Sequence, residues 1–511
     1  MPDISENNKR IAKNTLLLYV RMIFTMLIGL YTSRVVLKTL GATDFGIYEV
    51  VGGVVSLFSF LNGTMAAATQ RFLTFEIGRD DRERLSKMFS VSLTIHIILC
   101  ISIIVLAETI GLWFLNYKLN IPPERIGAAN WVYQFSILAC VFSITQTPYN
   151  ALIIAREKMN VFAYVSIYGA VVKLLLVIFL SYLSADKLIW YAIFLLIKNV
   201  SEMMITRIYC LYNYEESKFH FIRDISLYKE IGSFAGWNLS THFVYMAKSQ
   251  GVAMLLNVFF GPIANAARGI ASQVQGVLIQ LVDNFQMATV PQITKNYAAG
   301  DVQGMNTLIT RSSKLSVVLL SIIVPPFVIE ADTILQLWLG EVPQYAVLFT
   351  RMSLIATLIN CFSGLIGYGA LATGNVKRYQ LVISSVISMQ FILTFVFYEL
   401  GMSSSSMYSA EIIVSFAALF TRLYLLKSLI DFPVLYYIIN VVGRSALSIL
   451  LACIIPAYLY VSIPSSYFRL IVIFLISGIC STISGAYIVF NRNERIAVRN
   501  MIKAKLKIEE K

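Results

Sequence analysis

The amino-acid sequence predicts an all-α integral membrane protein of 14 transmembrane helices, arranged as two parallel six-helix repeats followed by a C-terminal helical hairpin. Three observations carry that prediction. The 511 residues are 58% hydrophobic and only 14% charged, with a mean hydropathy of +0.72, a composition far from that of a water-soluble globule. The apolar residues fall into runs of the roughly 20 residues that a helix needs to cross the hydrocarbon, separated by short polar connections. Positions about 220 residues apart also carry related sequences at matching places in these runs.

Taken in order, the runs place spans at 14–36, 45–69, 88–114, 127–153, 161–183, 188–212, 231–259, 264–290, 306–329, 345–371, 379–400, 407–426, 435–461 and 467–490. The first is preceded by a polar, charged segment and followed by no small-residue cleavage site, so it is expected to remain as an anchor. In the repeat, Leu40-Gly41 aligns with Phe260-Gly261, Thr69-Gln70-Arg71-Phe72 with Val290-Pro291-Gln292-Ile293, and Gly78 before Arg79-Asp80 with Gly300 before Asp301. Ala151-Leu152 through Arg156 and Lys158 aligns with Ala370-Leu371 through Asn375 and Lys377. An even number of spans per unit makes the two copies point the same way, an organisation used by transporters that bind substrate between their halves. The expected division is an N-terminal lobe at 1–213, a cytoplasmic linker at 214–230, a C-terminal lobe at 231–430, two additional helices at 431–490 and a basic tail at 491–511.

Orientation follows from the basic residues. With both termini on one side, 28 of the 41 lysines and arginines fall on that side and 6 on the other, and the basic-rich side faces the cytoplasm. The net charge of +13 is then largely an orientation signal plus a tail, Arg492 to Lys511, suited to anionic headgroups. Its scatter over many short segments gives no nucleic-acid footprint, and no nucleic-acid partner is expected.

Several chemistries are excluded. Cys100, Cys140, Cys210, Cys361, Cys453 and Cys480 lie in or at the ends of spans without a C-x-x-C pair, so neither a disulfide framework nor a metal site is expected. Walker A, G-x-S-x-G and H-E-x-x-H patterns are missing. The longest outer loops, at 115–126 and 330–344, are too short to hold a catalytic site, so the chain is not expected to be an enzyme and no cofactor is implied.

The remaining seven basic residues lie inside spans: Arg21, Lys173, Lys198, Lys248, Arg268, Arg351 and Arg444, against four acids at comparable depth, Glu49, Glu202, Asp283 and Glu411. A charge within the membrane faces a partner or a wet cavity and marks function by default. Helical spacing sorts them. Arg21 shares a narrow stripe with Asn14, Thr25 and Thr32 on the first span, and on the seventh Asn238, His242, Tyr245 and Ser249 share a face flanked by Thr241 and Lys248. The eighth span aligns Asn265, Arg268, Ser272, Gln275, Asp283 and Gln286, and the second aligns Glu49, Gly53, Ser56, Gly63, Ala67 and Gln70. Small and polar residues also serve close helix packing, whereas a packing role alone rarely accounts for a charge. Lys198 and Glu202, four apart, are spaced to neutralise each other. Arg34 is expected to snorkel, and Arg351 turns away from the polar side of its helix. The expected anion-binding cations are Arg21, Arg268, Lys248 and Lys173; the expected polar lining is Thr25, Ser56, His242, Tyr245, Ser272 and Gln275; Glu49 and Asp283 are candidates for Na⁺ or H⁺ coupling.

Three segments carry a family resemblance: Asn14-Thr15-Leu16-Leu17-Leu18-Tyr19, the turn from Ser33-Arg34-Val35 to Leu40-Gly41-Ala42-Thr43-Asp44-Phe45-Gly46-Ile47-Tyr48, and Met65-Ala66-Ala67-Ala68-Thr69-Gln70-Arg71-Phe72. They resemble the polysaccharide and O-antigen repeat-unit flippases (Wzx type), within a superfamily that includes the multidrug and toxic-compound extrusion (MATE) antiporters and the lipid II flippases. The resemblance implies two MATE-like lobes working by alternating access in the bacterial inner membrane. It implies translocation of undecaprenyl-pyrophosphate-linked oligosaccharide to the periplasmic leaflet for O-antigen, capsule or exopolysaccharide assembly. Arg21 and Arg268 stand where relatives place cavity arginines. Implied partners are the lipid-linked substrate, membrane lipids, a polysaccharide polymerase and other assembly proteins. The alternatives are a lipid II flippase and a cation-coupled MATE-type drug exporter, the latter disfavoured by a first span with Arg21 and no acid.

Overall fold

The computed structural model describes residues 4–496 apart from 59, 80, 157, 374 and 375; side chains are described from Arg21 onward, apart from 56–61, 63, 64, 67, 71, 78, 233–243, 284, 287, 288, 291, 295, 298 and 376. Among the described residues every regular element is helical. The helices are α1 (Ile4–Phe58), α2 (Phe60–Arg79), α3 (Arg82–Leu106), α4 (Leu112–Tyr117), α5 (Ile126–Ala155), α6 (Met159–Leu180), α7 (Lys187–Asn213), α8 (Ile225–Ala298), α9 (Val302–Ile329), α10 (Ala331–Leu339), α11 (Ala346–Cys361), α12 (Gly364–Ala372), α13 (Val376–Glu399), α14 (Ser406–Ile430), α15 (Val434–Tyr437), α16 (Arg444–Ser462) and α17 (Tyr467–Ser484). Backbone polar groups cannot be left open to lipid, which is why apolar chains of this length fold as helices.

Twelve stretches are long and apolar enough to cross a membrane, and the chain is a multi-pass membrane protein. Two of them, Arg21–Val55 and Val244–Asp283, run 35 and 40 residues and each cover parts of two expected spans. The short loops expected between those spans are single-residue bends instead. Gly41 (φ 78°, ψ 169°) bends α1 and Gly261 (φ 76°, ψ −175°) bends α8, a conformation essentially confined to glycine. The matching bends lie 220 residues apart. So do two helix caps: Asp81 accepts from the Arg84 amide at 2.9 Å, and Asp301 from the Gly304 amide at 2.8 Å.

Two other boundaries differ from expectation. The span expected at 345–371 is broken at Phe362-Ser363 into α11 and α12, and the expected loop at 330–344 contains the nine-residue helix α10. Distant groups meet the carbonyls at the break: Tyr437 donates to the Phe362 carbonyl at 2.6 Å and Arg422 to the Ser363 carbonyl at 3.0 Å.

The chain divides into two compact units, Met1–Ala266 and Ala267–Lys511. In the first, α5 runs along α7, α6 packs on α1, and α2 and α3 pack on α5. Its core is built around Leu73, Met88, Phe89 and Leu152 in one cluster and Ile47, Val50, Val132 and Tyr133 in another. Small residues bring helices close: a methyl added at Gly46 would run into the Pro262 carbonyl, and one at Gly53 would press on the Gln250 amide. In the second unit α9 is central, contacting α11, α16 and α17 around Met305, Ile309, Leu365 and Leu423. The two helices expected as an added hairpin therefore pack directly on the core of this unit. Large apolar side chains stay exposed along the outer faces, Ile97, Ile101 and Val105 on α3 and Leu450, Ile454 and Val461 on α16 among them, as suits helices solvated by lipid.

Candidate functional site

In the first unit α1 carries Arg21, Thr25 and Glu49, α6 carries Lys173, and the start of α8 carries Tyr245 and Lys248. Arg21 is half-buried. Its guanidinium lies 4.9 Å over the Phe162 ring of α6, a favourable but weak contact. Its Nε is buried without a hydrogen-bond partner, and no ion pair of Arg21 occurs among the described residues. The Thr25 hydroxyl donates to the Arg21 carbonyl at 2.8 Å, so its proton is held by its own helix and only its acceptor faces outward. Glu49 is half-buried and within electrostatic reach of Tyr48 and Tyr191, whose rings meet edge to face at 4.7 Å. Tyr245 is exposed and Lys248 half-buried. The side chains of Ser56 and His242 lie outside those described.

Lys173 lines a cavity of about 370 Å³ inside this unit, together with Lys198 of α7. The expected pairing of Lys198 with Glu202 is present at 2.8 Å. Gly169 makes it possible: a methyl there would collide with the Glu202 carboxylate. At the turn around Gly41, Arg125 donates to both carboxylate oxygens of Asp44 at 2.9 and 2.6 Å and to Asp186 at 2.7 and 3.0 Å. The aspartate of the Asp44-Phe45-Gly46 segment thus ties the α1 bend to the start of α7, and Asp186 also caps α7 through the Leu188 amide at 3.1 Å.

In the second unit the rest of α8 carries Arg268, Ser272, Gln275 and Asp283. Arg268 is half-buried, within electrostatic reach of Tyr398 and Tyr408. Ser272 is exposed, Gln275 half-buried, and Asp283 exposed within reach of Cys361 and Tyr368. The ends of the expected α8 stripe serve packing. In the first unit Asn265 is buried and donates to the Ala253 carbonyl at 2.9 Å, and in the second Gln286 is buried against Gly364 and Ser316.

Other membrane cations have structural partners. Arg351 donates to the Val328 and Ile329 carbonyls at the end of α9, at 2.9 and 3.4 Å, and pairs with Asp332 at 2.5 Å. Arg444 donates to Asn491 at 2.9 Å. Two basic residues that read as loop charges in the sequence are buried. Lys314 is 0% exposed and pairs with Glu494 at 3.0 Å, and Arg469 is 8% exposed against a 0% exposed Glu330 at 2.6 Å. Their partners lie 180 and 139 residues away, and no local pattern announces such a pair.

No family model matches the chain. A curated relative, the uncharacterized membrane protein EpsK of Bacillus subtilis (strain 168), is 19% identical over 324 residues, 62% of this chain and 63% of that protein, so the match spans less than two thirds of the relative's length. Among solved structures, the lipid II flippase MurJ in an inward closed conformation superposes with a TM-score of 0.71 at 15% identity, covering 95% of this chain and 100% of that one. An inward-facing multidrug resistance MATE transporter of the MOP superfamily gives 0.70 at 13% identity, covering 82% and 99%. A MOP superfamily transporter from Pyrococcus furiosus, described as having a binding pocket of reverse polarity, gives 0.58 at 14% identity, covering 82% and 96%. The chain therefore has the membrane-transporter fold that these MOP-superfamily proteins share.

Proposed function

We propose that the protein is a transporter rather than an enzyme, a flippase that moves an undecaprenyl-pyrophosphate-linked oligosaccharide from the cytoplasmic to the periplasmic leaflet of the bacterial inner membrane for surface polysaccharide assembly. The observation that carries this reading is Arg21: a guanidinium on a membrane helix, with a buried nitrogen lacking a hydrogen-bond partner and no acidic partner among the described residues. A permanent cation held this way is suited to an anionic substrate group, and it argues against export of cationic drugs. In this proposal Arg21, Arg268, Lys248 and Lys173 replace headgroup hydration around the pyrophosphate. Thr25, Ser56, His242, Tyr245, Ser272 and Gln275 offer polar lining for sugars, and Glu49 and Asp283 couple an ion to the cycle. The bent helices α1 and α8, 55 and 74 residues long, each cross twice in this reading, giving 14 spans; at 1.5 Å per residue both exceed the roughly 60 Å that two crossings of the hydrocarbon need. The lobes at 1–213 and 231–430 alternate access, both termini are cytoplasmic, and a polysaccharide polymerase receives the product. A second reading, a lipid II flippase, is favoured by the MurJ fold match across 95% of the chain; it uses the same cationic lining.

The test is transport in proteoliposomes with two substrates, a defined pyrophosphate-linked oligosaccharide and lipid II. Wild type should move the first, and Arg21→Ala with Arg268→Ala should lower the rate at least tenfold without loss of protein. Undiminished flipping by the double variant removes the electrostatic argument, and movement of lipid II alone selects the second reading.

A further inference from the structure

We propose that the first unit binds an oxyanion of the phosphate class in its own internal cavity, held by Lys173 and Lys198. The proposal rests on the transport reading in one respect, since that reading already gives Lys173 a share of the pyrophosphate; it adds Lys198 and a cavity inside this unit, and it is tested by binding alone, which can succeed or fail without transport.

Five helices supply the walls, including Tyr48 from α1, Asn62 from α2, Ser143 from α5, Lys173 from α6, and Lys198 and Asn199 from α7. Both ammonium groups sit midway along apolar helices, where a net charge needs compensation. Glu202 lies behind the wall, seated over Gly169, and partly neutralises Lys198. Lys173 has no ion pair or hydrogen bond among the described residues. The lining thus brings two ammonium groups to the cavity, with Glu202 beside Lys198 and Glu49 next to the wall residue Tyr48.

The amides are oriented to match. Asn62 Oδ1 accepts from the Thr147 hydroxyl at 2.9 Å and Asn199 Oδ1 accepts from Lys198 Nζ at 3.2 Å, which leaves each Nδ2 donor for the cavity. Among the described residues no carboxylate lines the wall, so a metal cation, which takes oxygen ligands and usually carboxylates, does not fit. A neutral sugar would leave Lys173 uncompensated. A ligand that only accepts hydrogen bonds meets a wall of ammonium, amide and hydroxyl donors best. The volume of about 370 Å³ is generous for a bare halide, and donors arriving from several helices suit the divergent oxygens of a phosphate or pyrophosphate better than the two oxygens of a carboxylate.

The experiment measures binding of ³²P-labelled pyrophosphate to the full-length protein in phosphatidylcholine nanodiscs at low ionic strength, with no transport step. Wild type should bind saturably. Lys173→Met should weaken binding about tenfold or more, the loss expected of one charge-assisted hydrogen bond, with an unchanged thermal midpoint because no partner is stranded. Asn199→Asp, which puts a carboxylate in the wall, should also weaken it, and the exposed control Lys118→Gln should bind as wild type does. Displacement of the label by polyprenyl pyrophosphate in the discs identifies the occupant as a lipid headgroup, and displacement by inorganic phosphate alone identifies a free anion; either supports the site. Wild-type protein that binds no pyrophosphate, or equal binding by wild type, Lys173→Met and Asn199→Asp, overturns it.

Discussion

Glu330 and Arg469 show how far a single residue's role depends on where its partner is. Arg469 Nε and Nη2 donate to the two Glu330 oxygens at 2.6 and 3.0 Å, its guanidinium stacks 4.4 Å over Tyr460, and its Nη1 reaches the Tyr460 and Ile463 carbonyls. Removing one member of such a buried pair strands the other charge, at a cost of about 3–5 kcal/mol. Glu330→Leu and Arg469→Met should therefore each lower the thermal midpoint in detergent strongly, while the double variant recovers most of the loss. Arg21 should behave in the opposite way. Its replacement strands no ionic partner among the described residues, so Arg21→Leu should leave the midpoint unchanged or raise it while transport falls, the pattern of a residue kept for function at no gain in stability. Sequence spacing distinguished Arg21 and anticipated the Lys198–Glu202 pair, because those signals are local to one helix face. It read Arg469 and Lys314 as loop charges, because the acids that bury them lie far along the chain.

At the scale of elements, the sequence located helices well and their joints poorly. Hydropathy marks where a helix meets lipid, but a continuous helix and two helices joined by a short turn differ at one residue. Gly41 and Gly261 are those residues, and their ψ values near 180° with positive φ are costly for any L side chain. Gly41→Ala and Gly261→Ala should each destabilise by about 1–3 kcal/mol, read as a lower thermal midpoint; substitution at Gly29, which has open space around it, should not. Gly46→Val should be disruptive for a different reason, since the Pro262 carbonyl occupies the space. The joint beside Gly41 also carries a pH dependence. Hydrogen bonds from Arg125 hold the Asp186 carboxyl below its usual range. A depressed folded value gives stability that is complete above the unfolded value, about 3.9, and that is lost as pH falls through the lower folded value. The Asp186 contribution to the unfolding midpoint should stay level on acidification from neutrality and fall away below about pH 4; Asp186→Asn should lower the neutral midpoint and remove that part of the acid loss. Equal acid profiles for the two proteins would show that the clamp does not couple to folding.

At the scale of the whole molecule, the helical multi-pass membrane class was readable from composition and apolar run length because lipid permits so few alternatives, whereas the transporter fold was expected from the internal repeat and the family resemblance. Direction across the membrane is a separate question, and it rests on where the charges lie. The sequence predicts 28 basic residues on the side of the termini and 6 on the other. The start of α8, with Lys229 and following the connection that carries Lys218 and Arg223, is joined to the start of α3 through Glu230 and Arg84 at 3.3 Å, so these two segments share a side. Arg311 and Lys314 of α9 hold Glu494 at 3.8 and 3.0 Å, which places the residues leading to the tail beside the start of α9. The basic bias predicts that these segments stay in the cytoplasm during insertion. A phosphatase reporter, active only outside the cytoplasm, should accordingly be silent when fused after Ser226 or after Lys511 and active when fused after Asn120. A fluorescent reporter that matures only in the cytoplasm should give the reverse at all three positions. Activity of the phosphatase after Lys511 would invert the orientation, and with it the leaflet from which any lipid-linked substrate is taken.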